Sequence, residues 1–324
     1  MIQRVSAPRT EVAVVGRVSY DLNPLQAETP LEDVSTFERS VGGFAGNVCT
    51  GIARLGPRTL IVSAVGDDPH GRYVRKWLEA EGVDTSGLAI HPQLRTALAS
   101  YESWPPDRFP ITLFRSPSAP DWEMTVADVP ADLAASATIL LLSGTSLARD
   151  RSLDLSRELV KRRDPSLTTP VVIDLDWRPM AWPDASDFAP RVASLLDGID
   201  VVVGGEEEYA AAGIDPDELA ADGRWMVVIK HGPDGSTLVH EGVRTRVPGV
   251  EVPVVLGLGA GDAFIAAFVA SLGQERPPTD ALARANAAGA IVAARPMCSP
   301  AMPIPIEIDA VLGGARVEDG QVIE

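Results

Sequence analysis

Lysine is nearly absent from this chain of 324 residues: Lys76, Lys161 and Lys230 are its whole supply. No Gly-Lys-Ser/Thr run occurs, which excludes a Walker-type phosphate loop. Positive charge is scarce altogether, 28 Lys and Arg against 45 Asp and Glu, for a net charge of -17. Nucleic acid is bound by positive surface, and without a basic run the chain is not expected to have it as a partner. Cys49 and Cys298 are the only cysteines, in no CxxC pair and beside no histidine. They exclude a disulfide framework and read as buried thiols in a reducing cytoplasm. His70, His91, His231 and His240 are scattered without metal-ligand spacing. No apolar run reaches the ~18 residues of a membrane helix, and residues 1–10 lack the apolar core of a signal peptide, so no membrane partner is expected.

What remains is 45% hydrophobic and 23% charged, enough for one large core with an appendage. Glu11 to Gly16 reads as a buried strand delivering a loop that holds Asp21. Gly16-Arg17-Val18-Ser19 follows it in place of G-x-G-x-x-G, which disfavours a dinucleotide fold. Gly42-Gly43 precedes a helix stopped by Gly56, and paired glycines there let a ligand lie against backbone, with the Asn47 amide one turn on. Arg58 to Val65 reads as a strand and Pro69 to Glu81 as a helix. Thr96 to Tyr101 and Ile111 to Arg115, parted by Pro105-Pro106-Asp107, have the pattern of a small β-lid. From Ile139 onward strands alternate with helices: Ile139 to Ser143, Val171 to Asp176, Val201 to Gly204 and Trp225 to Lys230. A hairpin over 236–246 and an Ala-rich helix from Pro278 to Ala294 complete a doubly wound α/β body. Ligands in such sheets gather at the carboxyl ends of strands, where Asp21, Asp174, Asp176, Arg178, Glu206 to Glu208 and Lys230 fall.

Leu256-Gly257-Leu258-Gly259-Ala260-Gly261-Asp262 runs straight into the apolar stretch from Phe264 to Leu272. A turn of small residues at a helix start exposes backbone N–H groups to an anion such as a transferring phosphate. A carboxylate in such a hole is repelled by phosphate unless it accepts a proton there. Asp262 is therefore either that base or a simple helix N-cap.

With Gly42-Gly43 and Asn47 near the start and Gly259-Ala260-Gly261-Asp262 near the end, the chain resembles the ribokinase-like (phosphofructokinase-B) carbohydrate kinases over almost its whole length. The resemblance implies a single three-layer, doubly wound α/β domain with a mostly parallel sheet. It also implies a β-lid from about 17–41 and 94–118 that often dimerises, and ATP with Mg²⁺. Asp262 would be the base, at an ordinary carboxylate pKa of about 4, and Gly259, Ala260 and Gly261 the anion hole. Asp21, Gly42, Gly43 and Asn47 match sugar contacts. Asp174-Leu175-Asp176-Trp177-Arg178-Pro179 with Trp182, and Phe114-Arg115 before Ser118-Ala119, are similar to runs of the sugar-acid kinases. They imply that Arg115, Asp176 and Arg178 lie at the acceptor, a keto-deoxy sugar acid of the kind met in inositol catabolism. Which ketone position is used stays open, as does a catalytically weak sensor or subunit. Lys230, Gly232, Gly235 and Asn286 match nucleotide contacts, and Glu207 a Mg²⁺-water ligand, with Gly204 where the N-x-x-E pattern has Asn. Leu256-Gly257-Leu258 stands where the family often has Asp-Thr-Thr, so a monovalent cation site built on that aspartate is not expected.

Overall fold

The computed structural model describes residues 11–130, 137–163, 170–318 and 320–323; the first ten residues, read above for a leader, lie outside these. β1 (Val12–Val15) is buried along its whole length. Val12 and Val14 face one apolar cluster and Ala13 and Val15 another, the alternation of a strand with helices on both sides. β2 (Ser19–Pro24) and β3 (Phe37–Gly42) leave this sheet as an antiparallel pair. α1 (Phe44–Arg54), β4 (Thr59–Gly66), α2 (Pro69–Ala80) and β5 (Leu88–His91) return to it. α2 starts where the turn chemistry says it should, with Pro69 in its first turn and the Asp68 side chain accepting from Gly71 N at 2.9 Å. β6 (Leu98–Tyr101) and β7 (Ile111–Phe114) join the earlier pair in a four-stranded sheet ordered β3-β2-β6-β7.

Strands and helices then alternate through β8 (Ile139–Ser143), α3 (Asp150–Lys161), β9 (Val171–Asp174), α4 (Phe188–Ala193) and β10 (Val201–Gly205). α5 (Glu206–Ala212), α6 (Pro216–Ala220), β11 (Met226–Lys230) and the hairpin of β12 (Ser236–His240) and β13 (Val243–Val247) follow. α7 (Ala260–Gly273), α8 (Pro278–Ala293) and α9 (Pro305–Leu312) precede a closing hairpin of β14 (Arg316–Glu318) and β15 (Gln321–Ile323).

The main sheet has nine strands in the order β13-β12-β11-β10-β9-β8-β1-β4-β5. It is parallel from β11 through to β5, and the antiparallel pairings are those of β12 with β11 and with β13. This is the doubly wound α/β body that the sequence pattern predicts, in the three-layer, mostly parallel form that the resemblance implies. β1 is the switch point, since the chain moves outward from it to β4 on one side and to β8 on the other. α7 is apolar on every face, buried from Ala263 to Ser271, as a helix wedged inside a core must be. No helix among the described residues is long and apolar enough to cross a membrane.

Two differences from the sequence reading have simple causes. Asp21 lies on β2 and not in a loop, because every second residue of Ser19–Pro24 is buried and the intervening ones are not. β5, α9 and the closing hairpin were not expected: the strands are too short to show a period, and α9 is preceded by a proline-rich run that reads as loop.

Candidate active site

The carboxyl ends of the central strands converge on the N-terminus of α7. β1 delivers Arg17, β8 ends at Ser143, β9 leads to Asp174 and Asp176, and β11 ends at Lys230. Gly259 turns the chain into α7 with φ +84° and ψ -13°, a left-handed conformation that disfavours a side chain. A Cβ there would also lie 3.0 Å from the Cys298 side chain. The first N–H groups of a helix have no partner within it, so Ala260, Gly261 and Asp262 present donors at the positive end of the dipole.

Asp262 sits in that first turn, half-buried. Its Oδ2 accepts from Asn47 Nδ2 at 2.6 Å, and Asn47 Oδ1 in turn accepts from Ser299 Oγ at 2.6 Å. The bond to the carboxylate, which accepts only when ionised, sets which way the Asn47 amide points, and the Ser299 hydroxyl donates accordingly. Burial raises the Asp262 pKa above its ordinary value and the Asp176 charge adds to this, while Arg17 and the Asn47 hydrogen bond oppose it. The ordinary carboxylate value expected from the sequence is corrected upward.

Asp262 forms one end of an inner pocket lined by Arg17, Asp21, Gly43, Asn47, Arg115 and Arg178. Gly42 lies behind Asp21: a Cβ at 42 would fall 1.8 Å from Asp21 Oδ2, so only glycine lets the carboxylate stand here. Gly43, with φ +77°, starts α1, and a Cβ there would come 2.7 Å from the Arg17 carbonyl. Asp21 accepts from Ser19 Oγ at 2.6 Å, yet burial pushes its pKa up to about 6. A raised carboxylate favours the folded state when protonated, and that contribution is lost as pH rises through about 6. Were Asp21 to hold an acceptor hydroxyl, as the family resemblance implies, that binding would have the opposite sign, because a hydroxyl donates to the ionised form. The acceptor KM is expected to be flat above about pH 7 and to rise by up to about tenfold per unit below 6, while Asp21→Asn flattens the profile. A KM for the parent enzyme that is constant from pH 5 to 8 would contradict this.

Of the other residues expected at the acceptor, Arg115 and Arg178 line the inner pocket and Asp176 does not. Asp176 is 2% exposed and does not reach the pocket. Its carboxylate accepts from both Arg17 Nη atoms, from Ser143 Oγ at 2.7 Å and from Thr145 Oγ1 at 2.8 Å. Burial alone would raise its pKa, but Arg17 and Arg178 outweigh burial and hold it at about 2. Its φ of +36° is unusual for a non-glycine residue, and aspartate is among the types that tolerate it. Asp176 is thus a support for Arg17, which sequence reasoning missed although it directly follows the glycine after the first strand. Arg115 lines the pocket as half of a buried ion pair, 2.6 Å from Asp121 Oδ2 and 4.0 Å above the Trp122 ring. Arg178 is the most open of the three guanidiniums, 46% exposed and 3.6 Å from Asp176 Oδ1. Trp177 and Trp182 pack on Phe188, with ring centroids 4.4 and 5.2 Å away, and so fix the loop that carries Arg178.

Arg178 also borders an outer cleft of about 600 Å³. Its walls include Glu206, Glu207, Glu208, Lys230, Gly232 and Asp234. Lys230 reaches inward, 3.1 Å from Asp174 and 3.3 Å from Glu208. Burial alone would lower its pKa, but these two carboxylates outweigh burial and raise it. Glu207 is exposed on the wall, whereas Glu208 is the residue tied in, accepting from Gly205 N at 2.7 Å and Trp177 N at 3.1 Å. Reading the N-x-x-E frame from Gly205 in place of Gly204 would have found it. Gly235 and Asn286 are drawn away from the cleft. A Cβ on Gly235 would meet the Val247 carbonyl at 2.2 Å, and Asn286 Nδ2 donates to the carbonyls of Val247 at 3.2 Å and Pro248 at 3.0 Å. Both brace the segment after β13. Leu256 packs with Tyr101 and Cys298.

The sequence model for the pfkB family carbohydrate kinases matches residues 9–305. The 5-dehydro-2-deoxygluconokinase of Clostridium tetani is 31% identical over 329 residues, 97% of this chain and 96% of its own length. That of Geobacillus kaustophilus is 33% identical over 311 residues, 91% of each chain. Among solved structures, a protein from E. coli in complex with ATP and Mg²⁺ shares the fold with a TM-score of 0.84 at 20% identity, covering 94% of this chain and 99% of that one. The glycine-led turn into α7, the glycine pair before α1 and these matches agree, and the chain belongs to the pfkB family of carbohydrate kinases.

Proposed function

We propose that the protein transfers the terminal phosphoryl group of ATP to the terminal hydroxyl of 5-dehydro-2-deoxygluconate. The observation that carries this reading is the inner pocket, where a carboxylate at a helix N-terminus faces a set of guanidiniums in a chain that is otherwise strongly acidic. Asp262 orients the acceptor hydroxyl and takes its proton late in a loose transition state. The N–H groups from Gly259 to Asp262 receive the charge on the moving phosphoryl group. Arg178, open to both cavities, meets the acceptor carboxylate or the phosphates, since its planar fork suits either. The nucleotide lies in the outer cleft along Gly232, with Lys230 beneath it.

The donor set of that cleft fits a nucleotide that arrives with a divalent cation. Glu206, Glu207, Glu208 and Asp234 would repel a bare triphosphate, and Mg²⁺ commonly takes one or two carboxylates together with waters and phosphate oxygens. Glu207 and Glu208 are the residues that would hold it, and when bound it neutralises charge across the phosphates.

The test is an ADP-release assay with ATP, 5-dehydro-2-deoxygluconate, 2-dehydro-3-deoxygluconate and neutral sugars. The first acceptor is expected to have the highest kcat/KM, and faster turnover of a neutral sugar would refute the assignment. The four-stranded sheet, whose Leu98, Tyr101, Ile111 and Leu113 line the inner pocket, serves in this reading as a lid. Its edge strands expose Phe37 and Phe114, and a second copy of the chain would cover them. Light scattering that finds only monomer at micromolar concentration would remove the dimer and leave the kinase.

A further inference from the structure

We propose that Phe109 is a positioning residue for the transfer: it clamps the strap over 255–258, which leads into α7, and so holds the turn that makes the anion hole; this rests on the kinase reading above. Phe109 stands in the loop that joins β6 to β7, in the four-stranded sheet. Trp104 N and Arg108 N each donate to the other residue's carbonyl, at 3.0 and 3.1 Å, which closes that loop just before the ring.

The strap is bonded at its ends and bare between them. Val255 N and Leu256 N both donate to the carbonyl of Ala293, at 2.8 and 3.0 Å, at the end of α8. The Gly259 carbonyl accepts from Ala263 N at 2.9 Å in the first turn of α7. Among the described residues, no protein group accepts from the N–H of Gly257, Leu258 or Gly259. Two of these three are glycines, which restrain a backbone least. Side-chain packing must therefore place this stretch.

The packing comes from the four-stranded sheet. Leu256, 1% exposed, forms a small apolar cluster with Tyr101 and Cys298, and Phe109, Ile111 and Leu258 pack against it. A Cβ on Gly257 would fall 3.0 Å from Phe109 Cε2 and 3.3 Å from its Cδ2, so the ring fills the space that a side chain at 257 would need. Ser103 Oγ adds a long polar link, donating to the Val255 carbonyl at 3.4 Å. This cluster is separate from the two large ones of the body. The core holds the axis of α7 from Ala263 onward, and the clamp holds the turn that enters it. Leu256-Gly257-Leu258, the run that departs from the family's frequent Asp-Thr-Thr, is thus one half of an apolar joint between strap and sheet.

The experiment compares the parent with Phe109→Ala, Phe109→Leu, Gly257→Ala and the double variant of Phe109→Ala with Gly257→Ala. Hydrogen–deuterium exchange over 255–262 is read on the protein alone, and kcat and the ATP KM are read with 5-dehydro-2-deoxygluconate. Phe109→Ala is expected to speed exchange in that segment and not in β1 or β8, since it touches neither large cluster. It should lower kcat by roughly 10- to 100-fold, the order expected when reacting groups are misplaced by about 1 Å, with little change in the ATP KM. Phe109→Leu, which keeps an apolar side chain there, should recover much of both. Gly257→Ala should act in the same direction by displacing the ring, and it should add nothing once the ring is gone, which is the mark of a direct contact. Unchanged exchange over 255–262 in Phe109→Ala would overturn the clamp. Faster exchange with unchanged kcat would show that the turn works without it and overturn the positioning role. A parent that phosphorylates no acid would instead refute the keto-acid reading, and the exchange rates would still decide the clamp.

Discussion

Asp262→Asn is expected to lower kcat by about 10² to 10⁴-fold, the usual worth of general-base assistance, with little change in nucleotide or acceptor binding. The substitution keeps an oxygen to accept from Asn47 and keeps the first turn of α7, so the anion hole survives. Only the proton acceptor is lost. The raised pKa of Asp262 adds a second expectation, because the base must be ionised to work. Protonation as pH falls should switch off kcat at a pH above the ordinary carboxylate value near 4. Steady-state rates together with calorimetric binding of nucleotide and acid would check both. A variant that keeps half its kcat would show that another group takes the proton.

Arg115→Met should destabilise the fold by about 3 to 5 kcal/mol, the cost typical of breaking a buried pair. Arg115 and Asp121 side chains are each only 5% exposed, so solvent cannot take over the orphaned charge. Asp121 Oδ1 already has no hydrogen-bond partner, and after the change Oδ2 would also lose the one supplied by Arg115. The methionine recovers part of the packing over Trp122 but not the Arg115 cation–ring contact, and Arg149 remains 4.1 Å from the ring centre. Arg115→Met with Asp121→Leu should regain most of the loss, because replacing both charges by apolar groups is often neutral. Urea denaturation would measure both. A single-variant loss under about 1 kcal/mol, the size of an exposed pair, would contradict the buried-pair account.

The alternation of strands and helices was legible because each central strand is a short apolar run closed by Gly, Ser, Asp or Lys, and such runs have few other uses. The place of Asp262 in the first turn of a helix was legible because Gly259-Ala260-Gly261 runs straight into an apolar stretch; its role as base belongs to the proposal above. Arg17 was not, since its partner Asp176 lies 159 residues away and nothing local marks the pair. The pKa of Asp262 was hidden too, since it is raised by burial in the fold and then by the charge of Asp176, far from it in the chain. Glu207 and Glu208 differ by one residue, but one residue on a helix is about 100° of rotation, enough to put the first on the outer wall and the second against Lys230. Gly235 and Asn286 match ligand contacts in one dimension, and their bracing of the segment after β13 was not legible because tight turns and buried amides use the same residue types for packing.

α7, held by apolar contacts all round from Ala263 to Ser271, has no direction in which to shift without opening a void. In the proposed transfer its N-terminal dipoles would therefore stand already aligned where charge develops, with no reorganisation energy needed from them. Whatever closes around the reactants must be borne by parts that the core does not grip. The four-stranded sheet, with its exposed edge strands, is such a part, so slow steps of the cycle should belong to the sheet and the fast chemistry to the helix.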